Sequence, residues 1–279
     1  MQTAYLEVIV KVNQGDEEMA GWLMAEEGAL GIEELGLEAG KLTLKVFFPE
    51  DEELCQRALR RAQAGVNMEV GERLLKPVVD WQAYWKEHFK PLEVGRRFLV
   101  RPPWEKADPK GRVEIVINPG QGFGTGYHET TRLAMLALEQ IEGHLTEPFL
   151  DIGTGSGILA IAALKLGAPS GVGLEIEQEA LEELPSNLAL SNLDPQLLVG
   201  HLAKPNQWDQ PAQTVIANIT GDVLLYHHED LRRLTGRHLI LSGILEPFLE
   251  PLKDRFSDWE LVYQGQEGDW FALCFRRQG

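Results

Sequence analysis

The segment Phe149-Leu-Asp-Ile-Gly153-Thr-Gly155-Ser-Gly157-Ile-Leu-Ala constrains the fold of this chain more than any other. An apolar strand runs into three alternate glycines, and an apolar helix pattern opens at once. Glycine permits the positive φ values that so tight a strand-to-helix turn demands, and it lets a ligand touch the backbone. One such unit cannot bury itself, and the pattern downstream supplies its partners. Strands over 148–152, 170–175, 196–200, 213–217 and 238–242 alternate with helices over 156–166, 178–190 and 221–234. This alternation predicts an α/β fold with a parallel, doubly wound sheet. Near the end, 259–264 and 270–276 flank Gly265-Gln-Glu-Gly-Asp, a hairpin signal that places an antiparallel strand at the sheet edge.

Upstream the rhythm changes. Patterns over 4–12, 16–26, 31–37, 42–48, 51–64 and 67–71 read strand, helix, strand, strand, helix, strand, which suits a small ferredoxin-like α+β domain. Residues 1–73 carry 15 acidic against 7 basic side chains, a net charge of −8. Trp81, Tyr84, Trp85 and Phe89 fall at helical spacing before Pro91, so 74–92 is expected to be a packed helical linker. Two further strands, 97–100 and 113–117, then lead to the glycine-rich stretch Pro119-Gly-Gln-Gly-Phe-Gly-Thr-Gly126 and a helix over 129–141. The expected domains are therefore 1–73, the linker, and 93–279.

The net charge of the whole chain, −17, disfavours direct nucleic-acid binding, which rests on clustered Lys and Arg, and favours a basic partner. No run approaches the roughly 20 apolar residues that cross a bilayer. The N-terminus has neither a basic start nor a cleavage site. A cytoplasmic monomer is expected. Cys55 and Cys274 lack metal-ligand spacing and read as reduced, buried thiols, with no metal site.

A lone glycine triplet serves several kinds of nucleotide site, so the carboxylates around it must discriminate. Asp151 stands two residues before Gly153, where a pyrophosphate would meet negative charge but the ammonium and sulfonium of S-adenosylmethionine would be attracted. Glu175 ends the second strand, about 20 residues on, where a carboxylate can accept both ribose hydroxyls. Gly153, Gly155 and Gly157 complete the expected cofactor turn. Asn218 ends the fourth strand of the sheet and brings an amide to the edge where open α/β sheets hold ligands; its oxygen can accept a hydrogen bond from an amine. His128 beside the second glycine loop suits either proton relay or helix capping, whereas His227 and His228 are adjacent and cannot both face one site.

Taken together, Trp85-Lys-Glu-His-Phe-Lys-Pro91, Pro119-Gly-Gln-Gly-Phe-Gly-Thr-Gly-Tyr-His-Glu-Thr-Thr131, the turn from Asp151 to Gly157, Ala217-Asn218-Ile219 and Leu241-Ser-Gly-Ile-Leu245 resemble the bacterial ribosomal protein L-eleven methyltransferase family. The resemblance covers 79–279. It implies a Rossmann-like class I methyltransferase domain, S-adenosylmethionine as cofactor, and a small N-terminal domain that recognises a basic ribosomal protein, L-eleven. The expected activity is methylation of lysine side-chain and N-terminal amines. By position it assigns Thr131, Gly153, Glu175 and Asn218 to cofactor contact, and Phe123 and Thr125 to the loop over the reacting methyl. Glu175 stands where the family usually has Asp, and His201 where an acidic residue is common.

Such a reaction is an in-line displacement by a neutral amine, served mainly by alignment of the two reactants. Presenting an unperturbed lysine neutral at pH 7 costs about 4.6 kcal/mol, which desolvation reduces. Three rivals share parts of the pattern: a dinucleotide-dependent oxidoreductase, a methyltransferase for another protein, a small molecule or nucleic acid, and a cofactor-binding module without catalysis. Asp151 and the loop at 120–126 speak against the first, the separate N-terminal domain against a small substrate, the charge against nucleic acid, and an intact Asn218 against the last.

Overall fold

The computed structural model describes residues 4–38, 40–77, 89–118 and 126–278. The chain divides into two units, Met1–Tyr84 and Trp85–Gly279. In the first, the elements are β1 (Ala4–Asn13), α1 (Glu17–Glu26), β2 (Gly31–Glu38), β3 (Lys41–Pro49), α2 (Glu52–Gly65) and β4 (Met68–Pro77). Strand β1 alternates strictly: Leu6, Val8, Val10 and Val12 are buried while Tyr5, Glu7 and Ile9 are half-buried. That two-residue period gives the sheet one apolar face, and α1 and α2 cover it with Ala20, Met24, Cys55, Leu59 and Ala62. The strand order is β2-β3-β1-β4 with every neighbouring pair antiparallel, the ferredoxin arrangement. Asp51 starts α2 by accepting the Leu54 backbone N–H at 2.9 Å. Strand β4 continues past Gly71, where the pattern had it stop, to Pro77.

The second unit begins with β5 (Leu92–Val94), β6 (Phe98–Arg101) and β7 (Val113–Val116), which form a separate three-stranded sheet. Strand β5 is too short for a periodic signal and was not foreseen. After α3 (Glu129–Gln140) come β8 (Phe149–Ile152), α4 (Ile158–Lys165), β9 (Gly171–Glu175), α5 (Gln178–Leu190), β10 (Leu198–Leu202) and β11 (Ala212–Asn218). The helix expected over 221–234 is two, α6 (Gly221–Tyr226) and α7 (His228–Leu234), with a break at His227. Then follow β12 (Thr235–Leu245), α8 (Glu246–Arg255), β13 (Glu260–Glu267) and β14 (Trp270–Arg276). Helix α8 was also unforeseen, since Pro247 and Pro251 argue against a helix. Pro247 sits in its first turn, where a missing N–H costs nothing.

The large sheet has the order β10-β9-β8-β11-β12-β14-β13. It is doubly wound, and β14 runs antiparallel between β12 and β13, so the hairpin puts β13 at the outer edge. Along β11 and β12 the apolar run is continuous because successive side chains enter opposite cores. Ile216 and Ile240 pack with α3, α4 and α5, while Val215, Ala217, Leu239 and Leu241 pack with α6, α7 and α8. Seven of the eight residues of α4 are buried, which explains why that helix is apolar on every side. Each such Ile or Leu contributes roughly 1.5–3 kcal/mol by leaving water. Both cysteines are free and buried, and burial pushes the Cys274 thiol up to about 12. Among the described residues no helix is long and apolar enough to cross a membrane.

Candidate functional site

Consecutive strands leave β8 in one direction as β9 and β10, and then continue on its other side as β11 and β12. The loops beyond β8 and β11 therefore part at the carboxyl edge and open a crevice. The glycine turn lies there, with φ of 70° at Gly153, 50° at Gly155 and 80° at Gly157. Their duties differ. Gly153 and Gly155 line the crevice, and a Cβ on Gly153 would sit 2.4 Å from Ile219 Cγ2. Gly157 instead starts α4, and a Cβ there would meet Leu184 Cδ2 at 2.8 Å, so it serves close helix packing.

Asp151 lies beneath this turn, 1% exposed, and accepts the Thr154 hydroxyl at 2.8 Å. Its Oδ1 has no partner among the described residues. Burial pushes its pKa up to about 7; the nearby Glu175 charge adds to the rise and the Thr154 hydrogen bond opposes it. The carboxyl thus supports the turn from below, and the described lining of the crevice does not include it.

Glu175, at the end of β9, reaches back to the same turn. Its Oε2 accepts the Gly155 N–H at 2.9 Å and its Oε1 the Ile176 N–H at 2.7 Å. It borders two adjoining cavities. One, about 430 Å³, also holds Gly155, Asn218, His128, Gly243 and Trp270. The other, about 550 Å³, extends past Ile176 to Lys204, Asp222, Tyr226 and His227. Asn218 ends β11 beside Ser242 of β12 and lines the first cavity together with Gly153 and Gly155 of the turn.

Phe123 and Thr125 lie outside the described residues. Thr131 is fully buried in the first turn of α3, and its hydroxyl has no partner among the described residues; its neighbour Thr130 is the one that lines the cavity. His128 caps α3, with Nδ1 accepting the Thr130 N–H at 3.3 Å. The same nitrogen lies 2.9 Å from the Thr130 hydroxyl, so the ring is engaged with the first turn of the helix. His227 is buried at the break between α6 and α7, bonded to Asp230 at 3.0 Å, whereas His228 meets the Leu225 carbonyl at 2.8 Å. His201 is exposed on β10 with its ring 4.8 Å from that of Trp208.

Four contributors have no role assigned to them by the sequence. Asn187 of α5 donates to the Ser156 carbonyl at 2.9 Å and accepts the Asn118 N–H at 3.2 Å, tying the glycine turn to the residue that precedes the second glycine loop. Ser242 donates to the Thr130 carbonyl at 2.7 Å. Gly243, at φ 83°, leaves no room for a side chain, since a Cβ would lie 2.3 Å from the Ile219 carbonyl oxygen. The signal for these two was Ser-Gly at the end of an apolar strand. Trp270 needs the strand order as well as the hairpin signal, because only the antiparallel pairing of β14 with β12 brings its first residue to this edge.

A family model described as "Ribosomal protein L11 methyltransferase (PrmA)" matches residues 4–278. The ribosomal protein L11 methyltransferase of Pelobacter propionicus is 37% identical over 270 residues, covering 89% of this chain and 86% of that protein. Its counterpart in Citrifermentans bemidjiense is 34% identical over 289 residues, covering 94% of each. Among solved structures, a ribosomal protein L11 methylase from Lactobacillus delbrueckii subsp. bulgaricus matches with a TM-score of 0.62 at 29% identity, covering 68% of this chain and 100% of that one. The crevice at the strand-order reversal, with its glycine turn, strand-end carboxylate and strand-end amide, is thus found in a chain matched to these proteins along nearly its whole sequence, and the chain belongs to the ribosomal protein L11 methyltransferase family.

Proposed function

We propose that this chain transfers methyl groups from S-adenosylmethionine to lysine side-chain and N-terminal amines of ribosomal protein L11, releasing S-adenosylhomocysteine. The observation that carries the reading is the meeting of Gly153, Gly155, Glu175 and Asn218 around one cavity, in a chain of this family. The donor set fits the cofactor. The Glu175 carboxylate accepts three backbone N–H groups, two on Oε1 and one on Oε2, which leaves Oε2 a lone pair for a ribose hydroxyl, and the glycine turn has no side chain to exclude a close ligand. When bound, S-adenosylmethionine supplies a methyl group activated by its sulfonium.

The chain's own work is to bind, orient and keep water out. Asn218 accepts a hydrogen bond from the amine and so directs the nitrogen lone pair. The family resemblance assigns Phe123 and Thr125, which lie outside the described residues, to contact near the reacting methyl. A closed, apolar surround lowers the cost of a neutral lysine. The first unit, acidic and separately folded, receives the basic protein substrate in the cytoplasm, and the enzyme acts as a monomer without direct nucleic-acid contact. Mass spectrometry of L11 incubated with enzyme and S-adenosylmethionine tests the reading. The expected result is stepwise gain of methyl groups on lysine or the N-terminus, lost with Asn218→Ala. No gain on L11, with S-adenosylhomocysteine still bound in calorimetry, overturns the substrate.

A further inference from the structure

Strand β7 is an edge of the small sheet, and a helix pairs the backbone groups on its free side. The Ile117 N–H donates to the Arg101 carbonyl of β6 at 3.1 Å, so by the alternation of a strand the N–H groups of Val116 and Asn118 point the other way. There they meet α5. Ser191 Oγ, at the end of that helix, accepts the Val116 N–H at 2.9 Å and donates to the Val116 carbonyl at 3.0 Å. One turn earlier, Asn187 Oδ1 accepts the Asn118 N–H at 3.2 Å. The spacings match, since four residues of helix advance about 6 Å and two residues of strand about 6.6 Å. Both side chains are 1% exposed and continue the buried stripe of Ala180, Leu184 and Leu188. An amide and a hydroxyl in such a place are costly unless paired.

The two side chains differ in reach. Among the described residues the Ser191 hydroxyl bonds β7 alone. Asn187 also donates from Nδ2 to the Ser156 carbonyl at 2.9 Å, between Gly155 and Gly157 of the glycine turn. An amide turned over would set oxygen against oxygen at Ser156 and N–H against N–H at Asn118, so the two bonds fix one orientation. A single side chain thus joins the glycine turn to the residue from which the chain enters Pro119 to Gly126.

We propose, resting on the reading of a cofactor held at this turn, that Asn187 is a positioning residue for methyl transfer, which couples occupancy of the glycine turn to the end of β7. A ligand against Gly153 and Gly155 steadies the Ser156 carbonyl, and the Asn187 amide passes that constraint to Asn118. The second glycine stretch, to which the family resemblance assigns Phe123 and Thr125, then starts from a fixed point relative to the cofactor. Transfer that depends on alignment gains from such a fixed point. The coupling is reciprocal, so a held Asn118 also strengthens binding at the turn.

Hydrogen exchange of the Asn118 amide, followed by NMR with and without saturating S-adenosylhomocysteine, tests the coupling without a protein substrate. In the wild-type enzyme the ligand is expected to slow that exchange about 3- to 10-fold, the range that one hydrogen bond supports. Asn187→Leu keeps the volume and removes both bonds; it is expected to abolish the ligand-dependent slowing and to weaken S-adenosylhomocysteine about 3- to 10-fold in calorimetry. Asn187→Asp retains the acceptor for Asn118 but loses the donor to Ser156, and is expected to abolish the slowing as well. Ser191→Ala is the control for a purely structural role. It removes a buried bond between the same helix and strand, so it is expected to lower the thermal unfolding midpoint yet keep both the slowing and the ligand affinity. Slowing that persists in the two Asn187 variants, or that is lost equally in Ser191→Ala, overturns the proposal and leaves the cofactor reading intact. So does its absence from the wild-type enzyme with ligand bound. If the wild-type enzyme binds no S-adenosylhomocysteine, the cofactor reading fails and the proposal fails with it.

Discussion

In the first unit four antiparallel strands bury one face under two helices; in the second, seven strands bury both faces under helices on either side. The consequence for chemistry is direct. A sheet covered on both faces has only its edges left for ligands, and the reversal of strand order between β8 and β11 opens a crevice at one of them. Among the described residues the half-covered sheet makes no such crevice, and its other face carries the half-buried Tyr5, Ile9 and Phe47. Small-molecule chemistry suits the fully covered sheet, and protein recognition suits the open one.

This division can be broken at several points. Asn218→Ala is expected to reduce methyl transfer to L11 by about 100-fold or more, because alignment carries the rate, with a much smaller loss of S-adenosylhomocysteine affinity. A parallel loss of both would place Asn218 in cofactor binding alone. Asp151→Asn probes the turn. The folded-state pKa of Asp151 is raised from 3.8 to about 7, so the folded protein binds the proton more tightly than the unfolded chain. Stability contributed by this group is full below about pH 4 and falls as pH rises to about 7, by on the order of 4 kcal/mol. The stability of Asp151→Asn relative to wild type should accordingly increase across that window and level off above it. A difference independent of pH, in chemical denaturation at several pH values, would contradict the burial argument.

Gly153→Ala adds a Cβ at positive φ against Ile219, and a loss of about 1–3 kcal/mol is expected, seen as a lower unfolding midpoint and weaker cofactor binding. Adding Ile219→Ala should recover the steric part only; full recovery would mean that the backbone carries no strain. Smallest is Phe47→Ala on the open face of the first sheet, expected to weaken L11 binding about tenfold, roughly 1.4 kcal/mol, with S-adenosylhomocysteine affinity unchanged. No effect on L11 would move recognition elsewhere on that unit.

Which parts of this architecture were legible in the sequence follows from the range of the forces involved. Strand and helix alternation is local, so β8 to β12 and α5 were readable, as was the crevice that a doubly wound sheet implies. Leu224, Leu231 and Leu234 keep one apolar stripe across the break at His227, and periodicity alone reports a single helix there. Glu175 and Asn218 were visible because strand ends point to one edge. The place of Asp151 was not, since spacing says which residue precedes the turn and nothing of which side its carboxyl takes. Trp270 depended on the strand order that sets β14 beside β12, and Asn187 on packing between elements far apart in sequence.

Helix α4 has a consequence of a different kind. With apolar groups on every side, it has no stable existence apart from the sheet and helices around it, and its amides should exchange with deuterium only when the whole second unit opens. The glycine turn is mounted directly on that helix. The binding loop is therefore anchored to the part of the molecule that loosens last, and warming should cost the enzyme its outer segments well before it loses its hold on a small ligand.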